Sequence, residues 1–412
     1  MERSGAKATQ WRGPRMGEFV ALMAALMACN ALAIDSMLPA LPAIGNALGL
    51  TNDNERQLVI TAYLLGFGIS QLIYGPLSDR FGRKPILVGG LIFYCIFAVG
   101  AGLASSFEMM LGARAMQGSA AAVTRVLTVS IIRDRFHGAA MAKLMSTVFI
   151  VFMIVPVLAP FFGQAVLAFA TWRFIFFSLA IYCGVVGMWM AIRLPETLPI
   201  ERRRPLAPRK VISAIVETLT HRLSIGNTVA LTLIQGALFG FINSIQQITF
   251  DVFNQPEMIG FVFAGIAGPM AASSFLNTRI VHRYGSRTIM LRALAVFATC
   301  AALHFILVFL NGETLVQFVV LQALTMASFG LIAANLGSVA MEPMGHIAGT
   351  ASSVQGVIST SGGALIGLAI GQSFNGTTIP FLFGFTMCSL LALALAIWTN
   401  RPEKPVSETW KD

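Results

Sequence analysis

The chain has 412 residues, 56% of them hydrophobic and only 11% charged, with a formal net charge of +10 and a mean hydropathy of +0.76. A water-soluble chain carries about 25% charged residues, so this composition excludes a cytosolic enzyme, a nucleic-acid-binding protein and a secreted module. The basic residues that would otherwise hint at nucleic acid fall in short gaps between apolar runs, which is the distribution of a polytopic membrane protein.

A membrane span needs about 20 mostly apolar residues. In chain order, that criterion predicts spans over 17–38, 56–77, 85–105, 107–132, 142–166 and 172–193, then over 223–249, 257–281, 288–310, 314–337, 347–372 and 378–399. The organisation expected is a tail over 1–16, a six-helix bundle over 17–194, a polar linker over 195–221, a second six-helix bundle over 222–399 and a tail over 400–412. Within the linker, Val211 to Leu219 is amphipathic. Cys29, Cys95, Cys183, Cys300 and Cys388 fall singly inside apolar runs, away from any metal-ligand spacing, and are read as small buried hydrophobes. The N-terminus has basic residues but no small-residue cleavage site behind a short apolar core, so no removed signal peptide is expected.

Lysine and arginine crowd one side of this layout. That side holds Arg3, Lys7, Arg12 and Arg15, then Arg80, Arg83 and Lys84, then Arg133, Arg135 and Lys143. It also holds Arg193, the linker cluster from Arg202 to Lys210, Arg222, the run from Arg279 to Arg292, and Arg401, Lys404 and Lys411. The opposite side has only Arg56 and Arg173. The positive-inside rule then places both termini and the linker in the cytoplasm, which requires an even number of spans. An internal repeat supports two equivalent halves: Arg80-Phe-Gly82-Arg83-Lys84 follows the second span and Arg283-Tyr-Gly285-Ser-Arg287 follows the eighth. Two such halves are typical of secondary transporters, with substrate bound between them near mid-membrane.

Several motifs carry a family resemblance. Gly75-x-x-x-Asp79-Arg80-x-Gly82-Arg83-Lys84 resembles the loop signature between helices 2 and 3 of the major facilitator superfamily, and Arg114-Ala-Met-Gln117-Gly118 resembles its helix 4 signature. Val155-Pro156-x-x-Ala159-Pro160-x-x-Gly163 resembles the helix 5 motif of drug–proton antiporters, with Ala159 and Gln164 standing where that motif often has glycine. Ile34-Asp35-x-x-Leu38-Pro39, Ile132-Arg133-Asp134, Trp172-Arg173 and Gly349-Thr350-Ala351-Ser352-Ser353 are similar to the Bcr/CflA group of bacterial drug exporters. The fold expected is therefore an all-α integral membrane protein of twelve helices in two pseudo-symmetric six-helix bundles, the major facilitator fold. The second-half loop departs from the pattern by having His282 where the first has Asp79.

Asp35 is the one acidic residue read as lying inside a span. A charged carboxylate there costs roughly 2.5–3.5 kcal/mol, so its functional reading is a carboxyl that takes a proton in one conformation and a cationic or polar substrate in the other. The alternative is a cap at the end of helix 1, before Pro39. Arg114 and Arg125 are the basic residues placed deep in a span, about 16 Å apart along one helical face. By resemblance, Arg114 assists proton transfer at Asp35; the alternative is an anchor to backbone carbonyls. Arg125 is open to either reading. The Gly75, Asp79, Arg80, Gly82, Arg83 and Lys84 loop is expected to act as a gating latch, the plainer reading being retention of positive charge inside. Pro156, Ala159, Pro160 and Gly163 form the helix 5 motif, in which the prolines bend the helix and glycine admits a neighbour.

Tyr63, Phe67 and Gln71 recur at i, i+4 and i+8 on helix 2, and Gln235, Phe239, Asn243 and Gln246 form a similar stripe on helix 7. Mixed aromatic and amide surfaces suit amphiphilic ligands, so these residues, with Asn30, Gln117 and Gln355, are candidate substrate contacts; helix–helix polar contacts are the alternative at each. His304 is read as a packing residue rather than a second proton carrier.

The resemblance implies a proton-driven exporter of small lipophilic or amphipathic drugs, working by alternating access as a monomer in the bacterial inner membrane. Its partners are a small-molecule drug, protons and the lipid bilayer, with no nucleic acid, cofactor or metal. No Walker motif is present to use ATP. A proton-coupled uptake symporter or facilitator for a small metabolite shares the fold; the helix 5 motif and the single acid in helix 1 favour export. An integral-membrane enzyme would need a nucleophile–base set or metal ligands within the spans, and no such spacing occurs.

Overall fold

A computed structural model of the chain describes residues 13–136, 138–203 and 208–401. Most of the tails expected over 1–16 and 400–412 therefore lies outside the described residues, as do Arg3, Lys7, Arg12, Arg204, Lys404 and Lys411 of the charge count.

Apolar runs of the expected length form helices. The first half comprises α1 (Met16–Asp35), α2 (Leu58–Phe81), α3 (Arg83–Gly102), α4 (Phe107–Arg135), α5 (Gly138–Phe169) and α6 (Arg173–Arg193). The second comprises α7 (Arg222–Gln247), α8 (Ile259–Tyr284), α9 (Ser286–Asn311), α10 (Leu315–Met326 with Phe329–Met341), α11 (Ala348–Val357 and Gly363–Gln372 joined by a π-turn) and α12 (Ile379–Thr399). The amphipathic stretch of the linker is a helix, Pro208–Thr220, lying against α7 and the start of α11. With twelve crossings, both ends of the described chain lie on one face of the bundle, called here the tail side; the other is the far side.

Local chemistry sets the ends. Pro39 lacks an N–H, so α1 gives way after Asp35 to a tight turn at Leu38–Ala40 and a short helix, Leu41–Ala47. The Ser106 hydroxyl caps α4 by accepting from the Met109 amide at 3.2 Å. Thr314 and Gln317 form a reciprocal capping box that starts α10. Gly82 and Gly285 both sit at positive φ, +100° and +75°, so the repeat seen in the sequence is one turn used twice.

Small residues set the packing. Gly66 backs onto the Ala115 carbonyl and Gly118 onto the Tyr63 carbonyl, leaving no room for a side chain between α2 and α4. In the second half, Gly363, Gly367 and Gly371 of α11 face Gln235, Phe239 and Asn243 of α7, while Gly236 and Gly240 receive Ile366 and Ile370. The halves meet along two seams, α2 with α11 and α5 with α8. Ile181, Val185, Met188 and Ile192 leave an apolar face of α6 exposed to lipid.

Candidate functional site

Asp35 ends α1 at 4% exposure, and its Oδ1 has no hydrogen-bond partner among the described residues. An unpaired buried polar atom is costly, so this carboxyl is held at an energetic penalty. Beside it, Gly163 of α5 packs directly on the Ser36 carbonyl and Pro39. The helix 5 motif thus admits α5 to the residues that follow Asp35, with Ala159 and Pro160 buried and Pro156 half-buried in the same helix.

Arg114 is fully buried and each nitrogen of its guanidinium donates one hydrogen bond. Nε donates to the Val59 carbonyl at 3.2 Å, Nη1 to Gln117 Oε1 at 2.7 Å and Nη2 to the Ala33 carbonyl at 2.9 Å. The group lies 4.4 Å over the Tyr63 ring and 5.7 Å from that of Phe176. It ties α4 to α1, α2 and α6 and reaches Asp35 only through the backbone two residues earlier. Tyr63 stacks on Phe67 and donates to Asn30 Oδ1 at 2.8 Å. The Gln117 Nε2 is buried without a partner among the described residues.

On the second half, Gln235, Phe239 and Asn243 turn their Cβ atoms to the α11 glycines. The Asn243 amide and Gln246 Nε2 are nevertheless buried and unpartnered among the described residues. Gln355 donates to the Gly337 carbonyl at 3.4 Å, joining α11 to α10. Gln71 bridges the halves, donating to Thr360 Oγ1 at 3.3 Å and to the Gly356 carbonyl at 3.5 Å. One turn on, Gly75 faces Ser353 of α11.

The tail-side loop is a knot within the first half. Arg83 donates to Asp79 at 2.6 Å, to Ser78 at 2.6 Å and to Asp134 at the end of α4 at 3.0 Å. Glu196, in the linker, accepts from the Arg83 and Lys84 amides at 3.0 and 3.1 Å, an anion seated on the first turn of α3. Gly82 is needed twice, for its φ and because Glu196 and Arg203 occupy the space a side chain would take. Arg80 is exposed and lies against Phe81. The second half repeats the tie although His282 replaces the aspartate: Arg287 binds Glu342 at the end of α10 at 2.6 Å.

Two features escaped the sequence reading. The first closes the far side. Gln57 donates to Gln247 at 2.5 Å and to the Gly371 carbonyl at 3.0 Å, and Gln247 donates to Asn54 at 2.7 Å. Asn54 in turn donates to the carbonyls of Gln372 and Phe374 at 3.1 and 3.0 Å. Gln164 of α5 adds a bond to the Glu257 carbonyl before α8 at 3.0 Å. The uncharged amides at the far ends of several spans were the available signal. The second is Glu313, which sequence position places in a loop. Its side chain is 4% exposed, binds His304 Nε2 at 3.0 Å and accepts from Thr378 at 2.5 Å.

Two six-helix halves joined along two seams, with buried polar groups between them and a closed far side, define a membrane transporter of the alternating-access class. The chain belongs to the Major Facilitator Superfamily, whose profile it matches over residues 23–367. It is 27% identical to a Haemophilus influenzae bicyclomycin resistance protein homolog over 395 residues, covering 93% of this chain and 96% of that one. It is 28% identical to a Pseudomonas aeruginosa chloramphenicol resistance protein, covering 82% and 78%. Among solved structures, the partially occluded inward-open form of the Escherichia coli xylose transporter XylE superposes with a TM-score of 0.72 at 14% identity, over 94% of this chain and 98% of that one.

Proposed function

We propose that this chain is a proton-coupled antiporter that exports small lipophilic or amphipathic compounds across a bacterial inner membrane by alternating access. The observation that carries the reading is Asp35, a buried carboxyl without a partner among the described residues, at the end of α1 where Gly163 of the antiporter-like helix 5 motif packs on Ser36. The resistance proteins it resembles favour drugs as the cargo. The tail side, where the basic loops lie, is taken as cytoplasmic, with both termini there.

In this reading the far-side amide clasp holds the inward-facing state, and a compound enters from the cytoplasm between α1, α4, α7 and α10. Tyr63, Phe67, Gln117, Asn243 and Gln246, buried in this state, are the aromatic and amide groups that would meet it as the helices part. Arg114 positions α1 by holding the Ala33 carbonyl, so that a change at Asp35 is felt by α4. The loop from Gly75 to Lys84 fixes the tail-side ends of α2, α3 and α4 as one unit that moves against the second half. Each charge crossing with the membrane potential contributes about 2.3 kcal/mol per 100 mV.

Everted vesicles carrying an imposed proton gradient and a pH-sensitive dye test the reading against a panel that includes an amphenicol, a cationic dye and a peptide antibiotic. Proton release on adding a compound, present in the native protein and absent from Asp35→Asn, is the expected result. Release in neither protein, or in both alike, overturns it.

A further inference from the structure

Arg125 stands apart from the other described cations of the first half. It lies ten residues from the tail-side end of α4, about 15 Å inside the helix end, yet its side chain is exposed. It makes no hydrogen bond, ion pair or ring contact with the described residues, whereas Arg114 one face-repeat earlier uses three donors. The lipid-facing residues of α4 are Met109 and Met116. Arg125 comes nine residues after Met116, which turns it about 180° away from that face. A mid-span arginine open to lipid would be costly, and α4 is backed by α2, α3 and α1. The exposure is therefore assigned to the side of α4 that faces the space between the halves.

Nothing on α4 neutralises it. Its carboxylates, Glu108 and Asp134, sit at the two ends of the helix, and Asp134 is committed to Arg83 at 3.0 Å. Asp35 lies at the level of Arg114, whose axial distance from Arg125 is about 16 Å, well beyond the screening length of about 8 Å in physiological salt. Three residues along from Arg125, on the adjoining surface of the helix, the Thr128 hydroxyl is buried without a partner among the described residues.

The geometry points to Arg125 as the anchor for an acidic group on the transported compound: a monoanionic amphiphile whose carboxylate meets the guanidinium while its apolar body lies toward the aromatic and amide surfaces deeper in the cleft. Guanidinium and carboxylate pair by two parallel charge-assisted hydrogen bonds, a geometry lysine does not reproduce. This deepens the export reading and rests on it for the cargo, but not for the binding event.

The test is equilibrium binding to purified full-length protein in detergent, with no gradient, using pyrenebutanoate and its uncharged amide as paired fluorescent probes. The native protein is expected to bind the carboxylate at least tenfold tighter than the amide. Arg125→Ala should abolish that preference while leaving amide affinity within twofold, and Arg125→Lys should retain only part of it. Added salt should weaken the carboxylate alone. Equal affinity for the two probes in the native protein, or an equal loss of both in the variant, overturns the proposal. Should Arg125→Ala fail to give a monodisperse protein, Arg125→Gln is read by the same ratio. Phosphatidylglycerol displacing both probes equally would assign the arginine to a lipid headgroup and also overturn it. Because no proton gradient enters, a positive ratio with no drug-dependent proton movement would sink the antiport reading and leave this one standing.

Discussion

Arg114 Nη2 holds the Ala33 carbonyl at 2.9 Å, two residues before Asp35, so a fully buried cation is joined to the candidate proton carrier through backbone rather than through charge. The same guanidinium holds α2 at Val59 and is steadied by Gln117. Arg114→Lys keeps the charge but not the fork. At least one buried acceptor then loses its donor, at about 1–3 kcal/mol. A lower melting midpoint and loss of transport are expected, with the melt followed through a thiol-reactive dye, since Cys29, Cys183 and Cys388 are buried in the folded protein. Native midpoint and native transport in the variant would show that charge alone suffices.

Closure of the far side rests on neutral amides, each worth about 1 kcal/mol net. Asn54→Ala removes its side-chain bonds to Gln247 and to the Gln372 and Phe374 carbonyls. Spin labels on the exposed Thr51 and Asn375, in a background without native cysteines, should then report a population of longer distances, growing about fivefold per bond lost. An unchanged distance distribution would remove the clasp from the mechanism.

In the tail-side loop, exposure decides which carboxylate matters. The Asp79 side chain is 46% exposed and that of Asp134 18%, against 9% for their shared partner Arg83. Asp79→Asn should cost less than about 1 kcal/mol, Asp134→Asn more, and Arg83→Ala most, because two acceptors and Ser78 then lose one donor. Thermal melts of the three variants give the order. Equal effects would mean that the loop does not act as one knot. If the knot serves as a latch, Asp79→Ala reduces transport at normal expression.

The His304–Glu313–Thr378 cluster lies among α9, α10 and α12, away from the seams between the halves. Glu313→Ala leaves a buried histidine without its partner and should lower stability by about 3 kcal/mol, while folded protein keeps native transport. Loss of transport at native stability would move this pair into the transport cycle.

The helices were legible because apolar length and proline placement are local properties, and the two loop turns because only glycine takes positive φ at Gly82 and Gly285 without strain. The far-side clasp was not legible. Its amides come from segments some 190 to 320 residues apart, and no charge marks them. The stripe of Gln235, Phe239 and Asn243 shows why periodicity alone is insufficient. A four-residue spacing identifies a face but not its neighbour, and the neighbour here is the glycine ladder of α11. Glu313 is the loop acid its position suggests, but the burial of its side chain by a distant threonine and histidine leaves no trace in its own surroundings. Cys29, Cys95 and Cys183, read singly, are free thiols, with Cys29 donating to the Ala25 carbonyl at 3.5 Å and Cys95 to the Ala180 carbonyl at 3.4 Å.

The central claim is that Asp35 carries the coupling proton. Purified protein in liposomes, loaded by a pH jump with a transported compound outside, measures it directly. The native protein is expected to concentrate the compound against its gradient, and Asp35→Asn, monodisperse and of native melting midpoint, to lose that accumulation. Accumulation by Asp35→Asn equal to that of the native protein would contradict the account.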